Sequence, residues 1–352
     1  MISLALIGCG DIAEHGHLDA IMAHDRFDLN AVCDVNPERA ALLASKAGDV
    51  PAYLDWRRLL DHERLDAVVL ALPPEISPNV VIECLGRGLA VLDEKPQATT
   101  LEEGWRLASI VNESGGVYQI GFVLRYGDWV DEIARLSPAL GSPMKITVEI
   151  SDELYDSRDA NHLTRIQSFL KNSSAMTHEG SHAVDYISRW NDSPWVRATA
   201  IAKKTQPAFA GPNSWNADIE LADGSMIDLK VAWLLSEPPY SRVSIAGPAG
   251  SLTFDCLTGQ GSFEVEAEGR SLALPRLRPE WRRQYDAFEK AIRHHRATVA
   301  TVDDGLRALE VTAACELSAR LNCTVTPDDL RRHKIDPSRV AVAVSGAAPA
   351  PG

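Results

Sequence analysis

Three short stretches of this chain hold residues whose types and spacing can do chemistry. The first is Gly8-Cys9-Gly10-Asp11-Ile12-Ala13, a glycine-rich turn between an apolar run and a helical pattern. In that context Gly8 permits the tight turn, Gly10 lets backbone approach a pyrophosphate, Asp11 and Ile12 open the helix, and Ala13 is small enough for close helix–sheet packing. The helix N-terminus then faces an anion. An acid, Asp34, closes the next apolar run 24 positions after Gly10, where a carboxylate can accept from an adenosine ribose hydroxyl and repel a 2′-phosphate. The residues directly after it are Val35, Asn36, Pro37 and Glu38, and the nearest cation is Arg39, so NAD is expected rather than NADP.

The second stretch is Asp93-Glu94-Lys95-Pro96, at the end of a further apolar run. A lysine at the carboxyl edge of a doubly wound sheet can hold a substrate oxygen or tune a neighbouring acid–base group. From spacing alone it is equally a surface lysine stopped by a helix-starting proline. The third is Thr177-His178-Glu179-Gly180-Ser181-His182-Ala183-Val184-Asp185, whose spacing sets His178 and His182 on one helix face. Taken literally this is also H-E-x-x-H, a zinc peptidase signature. Gly180 weakens the helix interior, no third histidine follows at the metzincin spacing, and a dinucleotide fold leaves a peptidase unexplained, so no metal is expected. An imidazole titrates ordinarily near neutrality, which makes His182 the candidate general base for a hydroxyl proton, with a satisfied structural histidine as the alternative. Asp185 is expected at the helix surface or in an interdomain hydrogen bond.

These groups must be positioned by a larger frame. The 352 residues are 45% hydrophobic and 24% charged, enough for two ordinary cores. The formal charge of −14 disfavours nucleic acid and anionic lipid, leaving a small molecule as the expected partner. The six cysteines are scattered, with no C-x-x-C pair, and are expected to be reduced thiols. Met1 leads straight into Ile2 to Ile7 without a basic or cleavable leader, and no apolar stretch approaches the length of a span; a cytoplasmic protein is expected.

Short apolar runs at Leu4 to Ile7, Leu29 to Cys33, Ala67 to Ala71, Ala90 to Leu92 and Val117 to Phe122 alternate with helical segments. That predicts an α/β Rossmann domain with a doubly wound parallel sheet. After Gly141 longer β-type runs follow at Met144 to Ile150, Val196 to Ala202, Ala217 to Leu221, Met226 to Trp233, Arg242 to Ala246, Leu252 to Asp255 and Phe263 to Ala267. They predict an α+β domain with a large, mostly antiparallel open sheet, interrupted by one helical insertion from about Ser174 to Trp190. The expected division is 1–123 for the dinucleotide domain and 124–330 for substrate binding and oligomerisation, with the last helices packing back on the first domain. The remainder, 331–352, is expected to be a tail that is disordered over its uncharged, aperiodic end from Val340 to Gly352.

The order of motifs resembles that of the glucose-fructose oxidoreductase, inositol dehydrogenase and rhizopine-catabolism family over roughly Met1 to Thr326. The motifs are Ile7 to Ala13; Asp66 to Pro74; Glu94-Lys95-Pro96; Ile120-Gly121-Phe122 with Arg125-Tyr126; Gly180-Ser181-His182 with Asp185; and Asp304 to Glu310. The resemblance implies that Lys95 and His182 belong to the catalytic group and that Leu72, Pro73 and Glu94 lie along the cofactor. It also implies a homodimer or homotetramer built on the outer face of the second sheet. Three departures from the pattern stand out: His178 stands where polyol-oxidising members usually carry Asp, Ser77 replaces the common His after the proline pair, and the pair Ser173-Ser174 replaces glycines. The expected chemistry is hydride transfer from a secondary alcohol of a sugar or cyclitol. His178 orients the substrate in this reading, and Arg125, Lys171 and Trp233 are candidate wall residues. A redox-neutral lyase or glycosidase and a non-catalytic NAD-binding sensor are the rivals.

Overall fold

The computed structural model describes residues 1–265, 268–273 and 280–333. The chain forms two compact units, one from Met1–Gly127 with Arg278–Leu306 and the other from Asp128–Leu277 with the residues after Leu306.

The first unit is a six-stranded sheet of β1 (Ile2–Ile7), β2 (Phe27–Cys33), β3 (Ala52–Tyr53), β4 (Ala67–Leu70), β5 (Ala90–Asp93) and β6 (Tyr118–Ile120). Every pairing is parallel, in the order β3-β2-β1-β4-β5-β6. Parallel strands are covered on both faces, which is why β4 is an unbroken apolar run and β1 is apolar but for Ser3, with Leu4, Leu6, Val68 and Val69 fully buried. The crossover helices carry their own boundary signals. Asn36 caps helix Pro37–Lys46 by accepting from the Glu38 and Arg39 amides, and Thr100 caps Leu101–Ser114, which ends on left-handed Gly115. Helix Glu280–His294 joins this unit by placing Tyr285 and Phe288 in the core formed by Leu4, Leu29, Val32, Val69 and Leu92.

The second unit holds an eight-stranded sheet of β7 (Lys145–Asp152), β8 (Trp195–Lys203), β9 (Ser214–Leu221), β10 (Met226–Trp233), β11 (Tyr240–Gly247), β12 (Gly250–Asp255), β13 (Gln260–Val265) and β14 (Glu268–Ala273). Its order is β14-β13-β12-β11-β7-β10-β9-β8, and only the central β7–β10 pair is parallel. Alternation assigns the faces: Ile146, Val148, Leu229, Val231, Val243, Ile245, Leu252 and Phe254 are buried. Thr147, Glu149, Arg242, Ser244, Thr253 and Asp255 line a shallow hollow on the opposite face.

The helical content of this unit exceeds the single insertion expected at Ser174 to Trp190. A further helix, Ala160–Asn172, precedes it. Leu163, Ile166 and Leu170 fall at i, i+3 and i+7, a helical period that the expected single insertion passes over, and Ile166 and Leu170 are buried. Its start carries a signal too, because Asp159 accepts the His162 amide at 2.9 Å as an N-cap does. β3 and β14 are also additions to the expected strands. Of the run expected at Phe263 to Ala267, positions 266–267 lie outside the described residues, as does the expected tail from 334 onward.

Candidate functional site

The glycine turn sits where β1 ends. Gly8 has φ +95°, and a Cβ there would lie 2.2 Å from the Ala71 carbonyl oxygen, so any side chain would clash with the end of β4. Gly10 is different: a Cβ on it would meet nothing within 4 Å. Among the described residues nothing requires a glycine there, which leaves room for a ligand to approach the backbone. Asp11 and Ile12 are exposed beside it. Asp34, at the end of β2, ties the turn down. Its Oδ2 accepts the Cys9 amide at 2.8 Å and its Oδ1 the Asn36 amide at 2.8 Å. A carboxylate held by two amides keeps lone pairs for hydroxyl donors, and this donor set and open cradle fit a dinucleotide with a free ribose diol. Burial pushes the Cys9 and Cys33 thiols up to about 12, so neither is a thiolate near neutrality.

Leu72 is half-buried and Pro73 exposed on the loop after β4, where the Pro73 carbonyl accepts from the Ile76 and Ser77 amides. At the end of β5 the chain passes from fully buried Asp93 through Glu94, 8% exposed, to half-buried Lys95. Asp93 accepts from the Ser77 and Tyr118 hydroxyls. Burial pushes its carboxyl up to about 8 against the pull of those two donors. Ser77, the departure after the proline pair, thereby supports a buried acid next to the Glu94-Lys95 segment. Sequence reasoning passes over Asp93, although an acid closing the apolar run Ala90-Val91-Leu92 is a usable signal. It also passes over His17, which lies 3.1 Å from Glu94 and is fully buried.

Arg125 is buried in the same unit. It donates to Asp304 at 3.0 Å and to the Val299 carbonyl. Burial raises the Asp304 carboxyl, but the Arg125 hydrogen bond and charge, with two bonds from Thr301, outweigh it and leave the group below its usual range.

In the second unit a π turn, Met176–Gly180, runs into helix Ser181–Ile187. Ser174 and Thr177 hydroxyls both donate to Glu316, the second at 2.7 Å, and the Thr177 amide donates to Ser174 at 3.0 Å, fixing the start of the turn. Gly180 packs where a Cβ would lie 2.7 Å from the Met176 sulfur. His178 is half-buried, with its ring 5.2 Å from that of Trp233 at the end of β10. His182 is 7% exposed. Asp185 is 2% exposed, which corrects its expected place on the helix surface: every residue of Ser181–Ile187 is buried. Lys171 is exposed near the end of helix Ala160–Asn172. Within its own unit, then, the fold gathers Gly8, Gly10 and Asp34 at one turn, and it brings His178 against Trp233. Among the described residues no three His, Cys, Asp or Glu side chains could hold a metal ion, and no helix is long and apolar enough to cross a membrane.

Comparison with known proteins bears on both units. The family described as an oxidoreductase family with an NAD-binding Rossmann fold matches residues 2–122. Inositol 2-dehydrogenase 2 of Saccharopolyspora erythraea is 24% identical over 323 residues, 89% of this chain and 92% of its own length. Two solved structures share the fold. A myo-inositol 2-dehydrogenase from Lactobacillus plantarum superposes with TM-score 0.80 at 18% identity, covering 92% of this chain and 99% of its own. An oxidoreductase from Agrobacterium radiobacter, in complex with NAD+, L-tartaric acid and magnesium, gives TM-score 0.80 at 17% identity over 92% and 98%. The chain is an oxidoreductase with an NAD-binding Rossmann unit, and it resembles an inositol dehydrogenase along most of its length.

Proposed function

We propose that this enzyme uses NAD(H) to transfer hydride between the nicotinamide and a secondary alcohol or ketone of a sugar, cyclitol or sugar-derived compound. The observation that carries the cofactor choice is Asp34, a carboxylate anchored by the Cys9 and Asn36 amides beside the open Gly10 turn. Anchored there, it receives a ribose diol and repels a 2′-phosphate. Bound NAD supplies the hydride acceptor. In this reading the His182 imidazole takes the hydroxyl proton as the carbon–hydrogen bond breaks, and the Lys95 ammonium holds the oxygen on which charge develops.

His178 contributes substrate orientation. A neutral imidazole both donates and accepts, unlike the fixed anion of an Asp, so its preferred substrate hydroxyls need not match those of enzymes with Asp at this place. Trp233, against which His178 packs, and Lys171 are proposed as further substrate contacts. The buried ion pair with Asp304 favours a structural role for Arg125 over the wall contact expected from the sequence. We place the enzyme in the cytoplasm, consistent with six free thiols, and as a homodimer or homotetramer whose state light scattering reads directly.

The test is a panel of inositols, neutral sugars, sugar acids and phosphorylated sugars, with initial rates of reduced cofactor formation compared for NAD and NADP. The proposal expects NAD-linked turnover of at least one neutral polyol or sugar. A preference for NADP overturns the reading of Asp34. Bound cofactor that cannot be dialysed away, with no net reduction on any compound, overturns the dehydrogenase in favour of redox-neutral chemistry.

A further inference from the structure

The turn after the glycine loop carries a histidine that the proposed hydride transfer does not use. Ala13–His17 winds as a π turn, a wider coil that occurs often at functional sites, and His17 comes out of it fully buried. Trp281 closes over it, ring centroids 4.9 Å apart and edge to face. Gly16 makes that possible, since a Cβ there would sit 2.5 Å from the indole.

Both ring nitrogens of His17 are engaged. Nδ1 lies 2.8 Å from the Tyr285 hydroxyl and Nε2 lies 3.1 Å from Glu94 Oε1. A carboxylate can only accept, so Nε2–H donates to Glu94, while Nδ1 and the Tyr285 hydroxyl pair as donor and acceptor. Burial holds the Tyr285 phenol well above its ordinary range, so it keeps its proton. The other Glu94 oxygen, Oε2, accepts the backbone amide of Lys95 at 3.2 Å. Gly121 closes the slot from another side, where a Cβ would meet Glu94 Oε1 at 2.7 Å. The carboxylate is therefore gripped by His17, by the Lys95 peptide and by the bare backbone of Gly121.

We infer that His17 is a positioning residue: backed by Tyr285, it locks the Glu94 carboxylate against the Lys95 peptide and so sets how Lys95 leaves the end of β5. The inference rests on the role proposed above for Lys95. It differs from simple core filling, because the contact that matters is one donor on one nitrogen. Glutamine places an amide nitrogen near the Nε2 position and keeps that donor. Asparagine reaches only as far as Nδ1, keeping the Tyr285 side and losing the Glu94 side.

The experiment compares wild type, His17→Gln, His17→Asn and Lys95→Ala in two measurements. The first is steady-state turnover of the panel compound that wild type oxidises fastest. The second needs no substrate: the rate at which acetic anhydride labels Lys95 in the NADH-bound protein, read by peptide mass spectrometry. His17→Asn is expected to lower kcat by about tenfold or more, the effect of losing one hydrogen bond to a charged group, with the KM for NAD little changed. It is also expected to change Lys95 labelling by at least about threefold while other lysines label as before, and His17→Gln is expected to behave like wild type in both. Equal losses in the Gln and Asn variants, accompanied by a common drop in melting temperature, overturn the inference in favour of core filling. Lys95 labelling indifferent to His17→Asn overturns it as well. Full turnover in Lys95→Ala overturns the catalytic reading of Lys95, and the labelling result still decides what His17 does.

Discussion

Replacing Asp93 with asparagine should make the first unit more stable as the pH rises. Asp93 is fully buried at the end of β5, and its carboxyl is pushed from the ordinary 3.8 up to about 8. The folded state therefore keeps its proton over a range in which the unfolded chain has already lost it. Stability from this group is greatest below about pH 4, falls as pH climbs through the window from about 4 to about 8, and levels off above that. A window about four pH units wide, at ~1.36 kcal/mol for each, sets an upper bound on the order of 6 kcal/mol. Relaxation around a buried charge lowers the effective figure, and we expect at least about 2 kcal/mol to be recovered by the variant near pH 8. Asparagine cannot ionise, and it can still accept from Ser77 through Oδ1 and donate to the Tyr118 hydroxyl through Nδ2. Urea midpoints of the two proteins, followed by tryptophan fluorescence from about pH 5 to about pH 8, give the difference directly. The advantage of Asp93→Asn must grow with pH. An advantage that is constant across the range, or a loss at the alkaline end, refutes the assignment of a neutral buried acid.

Other outcomes follow from the same geometry. Gly8→Ala forces a Cβ toward the Ala71 carbonyl in a left-handed backbone and should abolish NADH binding in a fluorescence titration, whereas Gly10→Ala, with open space around it, should fold normally and lose only cofactor affinity. Breaking the buried Arg125–Asp304 pair with Arg125→Ala should cost about 3–5 kcal/mol, seen as a lowered melting temperature, because it leaves Asp304 uncompensated. Asp34→Ser should bring the ratio of NAD to NADP efficiency toward unity by at least about tenfold, measured as kcat/KM for each cofactor.

The dinucleotide unit is readable because its strands announce themselves twice, as short, dominantly apolar runs and as the elements before turn residues. Gly8 and Asp34 can be placed from spacing alone, since their partners, Ala71 and Cys9, follow from the strand order. His17 cannot. Its burial depends on Tyr285, 268 residues along the chain, and nothing near Glu14-His15-Gly16-His17 distinguishes the buried histidine from the exposed one. Ser77 and Asp93 each carry a mark in the sequence, a departure after the proline pair and an acid closing an apolar run, but that they pair with each other is not written in either segment. Helix Ala160–Asn172 is a different case: Leu163, Ile166 and Leu170 at helical spacing behind the Asp159 cap are legible, and the expected single insertion passes over them. Local patterns carry elements, and long-range pairs carry the site.

The central claim is direct hydride transfer assisted by Lys95 and His182. It is tested most directly by following a deuterium label placed on the carbinol carbon of the compound that the wild-type enzyme oxidises. Direct transfer predicts that the isolated NADH carries the label in the wild type, and that Lys95→Ala and His182→Ala each lower the rate of its appearance by about a hundredfold or more. Product formed without label in the nicotinamide, or label appearing at undiminished rates in both variants, would contradict it.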